Sequence, residues 1–396
     1  MFSTSKSLCV VFFTLTFAAS SAFAQGSRAD EIAREQAEKS KQLRPNTATG
    51  VERALDWVEG YLTDPNTVYL TFGGIYPSAG FAPGVAVRRA IGHSRLNFGG
   101  AYSFRNYKLA HVSLDFPELA NNKLDIETGA RWTDATQVPF YGTGNETDKD
   151  DRVHYGLRMT EARGLATVKP VHWFRLGGGI GVNQVEDREG EGTHPSIQFF
   201  PGALPPGGVF HKTTFTEGTA FAAIDWRESP GYSRRGGLYS VTLNDFRDSD
   251  DQFGFRRMDV ELVQLFPILK EHWVIGFRGY METTDADSGQ QVPYYLLPSL
   301  GGSSKHRGYS DFRFQDRHMM VLTGEYRWLP SRVIDMALFF DAGKVASDRS
   351  DLDLDDLKTA WGIGLRVHGP NFTPFRLDVA HAKEGIRVHL TGNVYF

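Results

Sequence analysis

The chain of 396 residues has a single cysteine, Cys9, and carries no large excess of charge of either sign. Cys9 sits in the apolar run LCVVFFTLTFAA (residues 8–19), which follows Lys6 and precedes Ala22-Phe23-Ala24. A cation, a short apolar core and an A-x-A site form a secretory signal, with cleavage expected before Gln25. At about 12 residues the run is too short for a bilayer that needs about 20 helical residues. No lipobox surrounds Cys9, so the mature chain is read as free of thiol chemistry, disulfides and lipid anchors. The 43 Lys+Arg against 47 Asp+Glu give a formal net charge of −4, which speaks against a nucleic-acid partner. After the signal no apolar stretch reaches the length of a membrane helix. Catalytic signatures are missing as well: the sequence has no G-x-S-x-G, H-E-x-x-H or Walker pattern, and its 12 histidines lack ligand spacing. The reading is therefore of a protein with no catalytic residues, no cofactor and no bound metal.

What the chain does have is aromatic and glycine content: 29 Phe, 15 Tyr and 42 Gly, under a mean hydropathy of only −0.34. Residues 25–66 read as a polar, helix-prone segment. Within it VERALDWVEGYL (51–62) aligns Leu55, Val58 and Leu62 on one face beside Trp57 and Tyr61. A linker helix is the plainer reading, and an interfacial helix the sharper one.

From Thr67 the period changes to two and stays so to the end. In VIDMALFFDAG, Ile334, Met336, Leu338 and Phe340 oppose Asp335, Ala337, Phe339, Asp341 and Gly343. In HMMVLTGEYRW, Met320, Leu322, Tyr326 and Trp328 oppose Val321, Thr323, Glu325 and Arg327. A soluble sandwich or propeller also alternates. It seldom sets pairs such as Glu325/Arg327 and Arg376/Asp378 behind so apolar a face in strand after strand, whereas a water-filled lumen accepts them. About sixteen such segments run between Thr67 and Phe396. Short connections (92–94, 118–123, 228–237, 269–272, 330–332, 369–371) alternate with long ones near 135–151, 185–212, 286–317 and 346–357. The fold expected is all-β: a transmembrane antiparallel β-barrel of sixteen strands. Its domains would be a signal peptide (1–24), a periplasmic helical segment (25–66) and an outer-membrane barrel (67–396) with both termini periplasmic.

Three features of the last 100 or so residues then specify more. GGSSKHRGY places Arg307, Gly308 and Tyr309 in the loop 286–317. FFDAG places Phe339, Asp341 and Gly343 two strands later, and the chain ends on the aromatic strand GNVYF at Phe396. In this order they resemble the BamA/TamA superfamily of outer-membrane assembly barrels, the bacterial surface-antigen family. FYGTG (140–144) and DWRESPG (225–231) also look like the family. The resemblance implies a lid loop folded into the lumen, with the motif arginine held by acidic wall residues. Asp341 is the first such partner, and Glu325, on the polar face of the neighbouring strand, the second. Phe396 would be the terminal signal read by the barrel-assembly machinery. His306 stands where Val or Ile is usual, and between Gln25 and Thr67 there is room for none of the family's periplasmic POTRA modules.

Implied partners are outer-membrane lipids and lipopolysaccharide, the assembly machinery for the chain's own insertion, and unfolded polypeptide clients. Implied function is help with insertion or translocation of proteins or lipids, against the alternative of a passive pore or structural surface barrel. Asp351, Asp353 and Asp355 mimic calcium-loop spacing, but Asp356 replaces the turn glycine and Gly362 the final Glu, so a solvated outer loop is expected. That run and those at 146–151, 186–192 and 247–251 fall on the outer side. There divalent ions could bridge them to lipopolysaccharide. His154, His318 and His389 are expected to hydrogen-bond inside the lumen rather than catalyse.

Overall fold

A computed structural model describes residues 66–205, 207–268, 272–369 and 372–392, with Arg34, Gly50, Arg53, Trp57, Gly60 and Asp64. The chain divides into two units, Met1–Gly50 and Val51–Phe396, and the account below concerns the second. The expected signal with Cys9, most of the segment 25–66 and the terminal Phe396 lie outside the described residues.

Among the described residues eighteen strands follow in order: β1 (Val68–Phe72), β2 (Pro83–Ile91), β3 (Ser94–Tyr102), β4 (Lys108–Glu118), β5 (Leu124–Phe140), β6 (Val153–Val171), β7 (Phe174–Glu189), β8 (Lys212–Asp225) and β9 (Gly236–Asp248). Then come β10 (Phe255–Ile268), β11 (Trp273–Ala286), β12 (Ser299–Leu300), β13 (Phe314–Gln315), β14 (His318–Trp328), β15 (Ile334–Ala346), β16 (Lys358–Val367), β17 (Phe375–Ala382) and β18 (Gly385–Thr391). All but β12 and β13 form one sixteen-stranded antiparallel sheet in which each strand pairs with its neighbours in sequence. β12 and β13 pair with each other inside the loop between β11 and β14.

Period two explains both faces. Phe266, Ile275, Tyr326, Leu338, Ile363, Val379 and Val388 stand opposite one another on seven successive strands, forming a continuous apolar belt. Leu338, Phe340, Trp361, Ile363, Val388 and Leu390 in and beside this belt are exposed, while the intervening Glu325, Arg327, Asp335, Asp341, Arg366, Arg376 and Asp378 are buried. Charges inside and hydrocarbon outside invert the rule for water-soluble folds. The belt is made for an apolar surrounding.

Two details differ from the sequence reading. β5 continues to Phe140 rather than yielding to a loop at 135, because a bulge between Ala135 and Val138 breaks the alternation without ending the pairing. The long connections are consequently 141–152, 190–211, 287–317 and 347–357, and four short ones (73–82, 103–107, 249–254, 383–384) share their end of the sheet. At that end the longer loops roof the interior with an aromatic cluster that includes Phe140, Tyr155, Phe215, Phe255 and Tyr294.

The belt generates a direct expectation. Leu338→Arg should lower the unfolding free energy in lipid vesicles by about 2–4 kcal/mol, the cost of an arginine on the hydrocarbon face. Urea titration of vesicle-inserted protein would measure it, and an unaltered midpoint would contradict the assignment of that face.

Candidate functional site

The loop between β11 and β14 turns back among the inward-facing side chains of β14 to β18. Its β12–β13 pair and the bridge Gly302–His306 hold the fold of the loop. Small residues on the wall make the seat. Ala360 of β16 and Ala382 of β17 stand opposite each other in the pairing, and a Cβ on Gly308 would lie 2.4 and 2.7 Å from their methyl carbons. Only glycine fits there. The same logic operates one level along: a Cβ on Gly362 would meet the Phe339 ring at 2.4 Å, so Gly362 makes room for that ring.

Arg307 lies buried over the Phe339 ring, its guanidinium carbon 3.4 Å from the ring centroid. Its Nε and Nη2 donate to the two carboxylate oxygens of Asp341 at 2.8 and 2.6 Å, and Nη1 donates to Glu325 Oε1 at 2.7 Å. The Arg307 backbone N–H also donates to Asp341, at 3.1 Å. A planar fork matched to one carboxylate with a third donor for a second is geometry that lysine cannot reproduce. Burial by itself would depress the Arg307 pKa, but the adjacent Asp341 and Glu325 carboxylates hold it above its ordinary value.

The structure thus brings together Arg307, Gly308, Glu325, Phe339 and Asp341. Tyr309 is buried against Phe314 and His306, and burial raises its hydroxyl pKa. Gly343 lies against Leu300 of the loop's own strand pair. Sequence reading named the pairs Glu325/Arg327 and Arg376/Asp378 but missed Arg366 and the sharing of Glu325. Arg366 donates to both oxygens of Glu325 at 2.9 and 2.7 Å, Arg327 Nε donates to Glu325 at 2.9 Å, and Arg376 pairs with Asp378 at 2.6 Å. All of these sit on polar faces already visible in the alternation. What the pattern lacked was the distance across strands that makes Glu325 their common acceptor.

The histidines divide by role. His389 Nε2 donates to the Arg307 carbonyl at 2.8 Å, and His306 Nε2 donates to the Lys358 carbonyl at 2.7 Å. His154 is buried edge-on to His194, and His318 is buried at the start of β14. In the acidic run, Asp353 pairs with Lys344 at 2.8 Å, and no group of metal-ligating side chains occurs among the described residues.

The loop also ties the two edges of the sheet. Ser78, between β1 and β2, donates its backbone N–H to Asp311 at 3.0 Å. Arg313, two residues on, pairs with Glu384 between β17 and β18 at 2.7 Å. One short segment reaches both edges only if the sheet is rolled upon itself. Backbone pairing between β1 and β18 is not seen among the described residues.

A rolled sixteen-stranded sheet with an arginine-anchored inner loop has a family match: the model of the Omp85 superfamily domain fits residues 89–388. The chain belongs to the Omp85 superfamily. BamA from Haemophilus ducreyi, in a crystal structure lacking POTRA domains 1–3, superimposes with a TM-score of 0.61 over 87% of this chain and 78% of that one, at 14% identity. CdiB from Escherichia coli gives a TM-score of 0.55 at 12% identity over 82% of this chain, which spans only 62% of that one. At such identities the likeness is one of fold. No individually curated protein matches the chain in sequence. This Omp85 barrel is accordingly an outer-membrane β-barrel of known architecture, and its task must be argued from its own residues.

His306 supplies a pH test of how the loop sits. Its Nδ1 has no hydrogen-bond partner among the described residues, and burial lowers its pKa despite the nearby Asp341. A closed loop therefore binds fewer protons at His306 than a released one, whose histidine titrates near 6.5. That contribution to closure is complete above about pH 6.5 and declines as the pH falls below it. The buried Asp311 carboxyl, raised by burial, acts in the opposite sense. The readout is consequently the difference between native protein and His306→Gln: protease cleavage of the loop should rise more between pH 7.5 and 5.5 in the native protein. Parallel curves would refute the assignment.

Proposed function

We propose that this Omp85 barrel assists insertion or translocation of polypeptides, or of lipids, at the outer membrane by opening between β1 and β18. One observation carries the reading: the inner loop reaches both edges of the sheet, through Ser78 beside β1 and through Glu384 beside β18. An unpaired strand edge offers a row of N–H and C=O groups to which an incoming strand can add. The strand lengths support the same place. β1 and β17 have 5 and 8 residues and the described part of β18 has 7, against 17, 19 and 16 for β5, β6 and β7. A tilted membrane strand needs about 9–11 residues, so the wall is thinnest where it would part. With the termini periplasmic, the turns face the periplasm and the acidic loops face outward toward lipopolysaccharide.

In this reading Arg307 locks the loop and, through it, the seam. Removing one partner of a buried ion pair costs about 3–5 kcal/mol because the other charge is left unpaired. Arg307→Ala should thus speed proteolysis of the loop and raise pore conductance, and Arg307→Lys should do so less. If neither quantity moves in either variant, the locking role is wrong.

The rival reading is a passive pore or structural surface barrel. A cysteine pair joining β1 to β18 separates the two, since Cys9 is the only native cysteine and lies in the signal. Oxidation should impair growth and deplete outer-membrane proteins, and reduction should restore both. Normal growth with a fully formed crosslink would favour the passive barrel.

A further inference from the structure

The connection between β8 and β9 counts as a turn by length, yet it does not behave as one. Ser229, Tyr232 and Ser233 are buried. The turn is pinched by its own serines: Ser233 Oγ donates to the Ser229 carbonyl, and the Ser229 N–H donates to Ser233 Oγ at 3.2 Å. From this pinch Tyr232 projects away from its own hairpin. Its ring stacks on His368, centroids 3.7 Å apart and planes 11° from parallel, and its hydroxyl donates to Asp335 at 3.4 Å. Thr373 donates to the Gly231 carbonyl at 3.3 Å, and Arg327 Nη1 to the Ser233 carbonyl at 3.4 Å.

These partners belong to β14, β15 and the connection between β16 and β17. In the sheet, β9 is separated from β15 by β10, β11 and β14, and β17 lies two strands further. At about 4.8 Å per strand, that is about 19 Å of wall to β15 and about 29 Å to β17. A ten-residue connection cannot follow the wall so far while keeping its own hairpin pairing, which runs up to Asp225 and Leu238. It crosses the mouth instead. The turn therefore lies over the end of the interior opposite the aromatic roof.

Its anchor is shared. Arg327, which holds the Ser233 carbonyl, donates through Nε to Glu325 Oε2, while Glu325 Oε1 accepts from Arg307 of the inner loop. Two side chains on alternate positions of β14 thus stand between the inner loop and the turn.

We propose that the β8–β9 turn is a second closure of the barrel, with Tyr232 as its latch, and that Glu325 and Arg327 couple it to the inner loop so that release of one loosens the other. The coupling rests on the reading of the inner loop as a lid; the turn closure does not. An opening from the loop end alone would then leave the turn end shut, and a client engaging the turn would act on Arg307 without touching it.

The test uses single cysteines in the otherwise cysteine-free mature chain, modified by a polar maleimide in vesicles. Ser233→Cys probes the turn with a near-isosteric thiol, Ser304→Cys probes the inner loop, and His93→Cys on an exposed turn is the accessible reference. Ser233→Cys should react at least tenfold more slowly than His93→Cys. Tyr232→Ala should remove most of that protection and speed Ser304→Cys at least threefold. Tyr232→Phe, which keeps the stack on His368, should change Ser233→Cys by less than threefold. Heat-modifiable migration in gels verifies that each variant is folded, and Tyr232→Leu, which loses the stack on His368 but keeps bulk, takes the place of Tyr232→Ala if the latter does not fold. Equal rates at Ser233→Cys and His93→Cys would overturn the closure. A Ser304→Cys rate indifferent to Tyr232→Ala would overturn the coupling. If instead Arg307→Ala leaves Ser304→Cys unmoved while Tyr232→Ala still exposes Ser233→Cys, the lid reading fails and the turn closure stands.

Discussion

A buried arginine facing two carboxylates is the constraint from which the interior of this barrel is organised. Arg307 meets Asp341 through a paired fork and Glu325 through its remaining nitrogen. Isolated charges in such a place would be prohibitive, since each loses several kcal/mol of hydration. They are tolerated because four arginines (307, 327, 366, 376) interleave with four carboxylates (Glu325, Asp335, Asp341, Asp378), all buried. The network fixes a geometry more than it adds stability, for a buried ion pair is a poor source of net free energy but an exacting one for position.

Much of the surrounding sequence follows from seating that arginine. Gly308 and the alanines at 360 and 382 let the loop reach the wall, and Gly362 clears the space for the Phe339 ring beneath the guanidinium. Glu325 then serves as the shared acceptor that passes the contact to Arg366 and Arg327. The loop's far side spans to Ser78 and Glu384, so the same segment that fills the interior also holds the two edges of the sheet near each other. Interior packing and seam are one mechanical problem here.

How much of this could be read beforehand differs by element. Strand faces of β14 and β15 were legible to the residue, and so were the inward charges of β17, because in a rolled sheet the burial period equals the side-chain period and hydrocarbon outside makes the contrast large. The short turns were legible from Gly, Pro and Asn clusters, although length alone did not reveal that the β8–β9 turn folds inward. Its Ser229 and Ser233 pinch is a local signal, but the partners of Tyr232 stand four or more strands away. The end of β5 was misplaced, since a bulge interrupts alternation without interrupting the ladder.

Sequence by itself determined the alternation, about sixteen strands for the main sheet, the polarity of their faces and the presence of an Arg-Gly-Tyr loop ahead of an F-x-D-x-G strand. Those are one-dimensional properties, set by a period of two and by residue type. Tertiary structure decided which charges share an acceptor, why Gly308 and Gly362 must be glycine, and that two connections from opposite ends converge on Glu325 and Arg327. Cross-strand distance carries that information. It depends on register and on how the sheet rolls, and neither is written in the local pattern of any single strand.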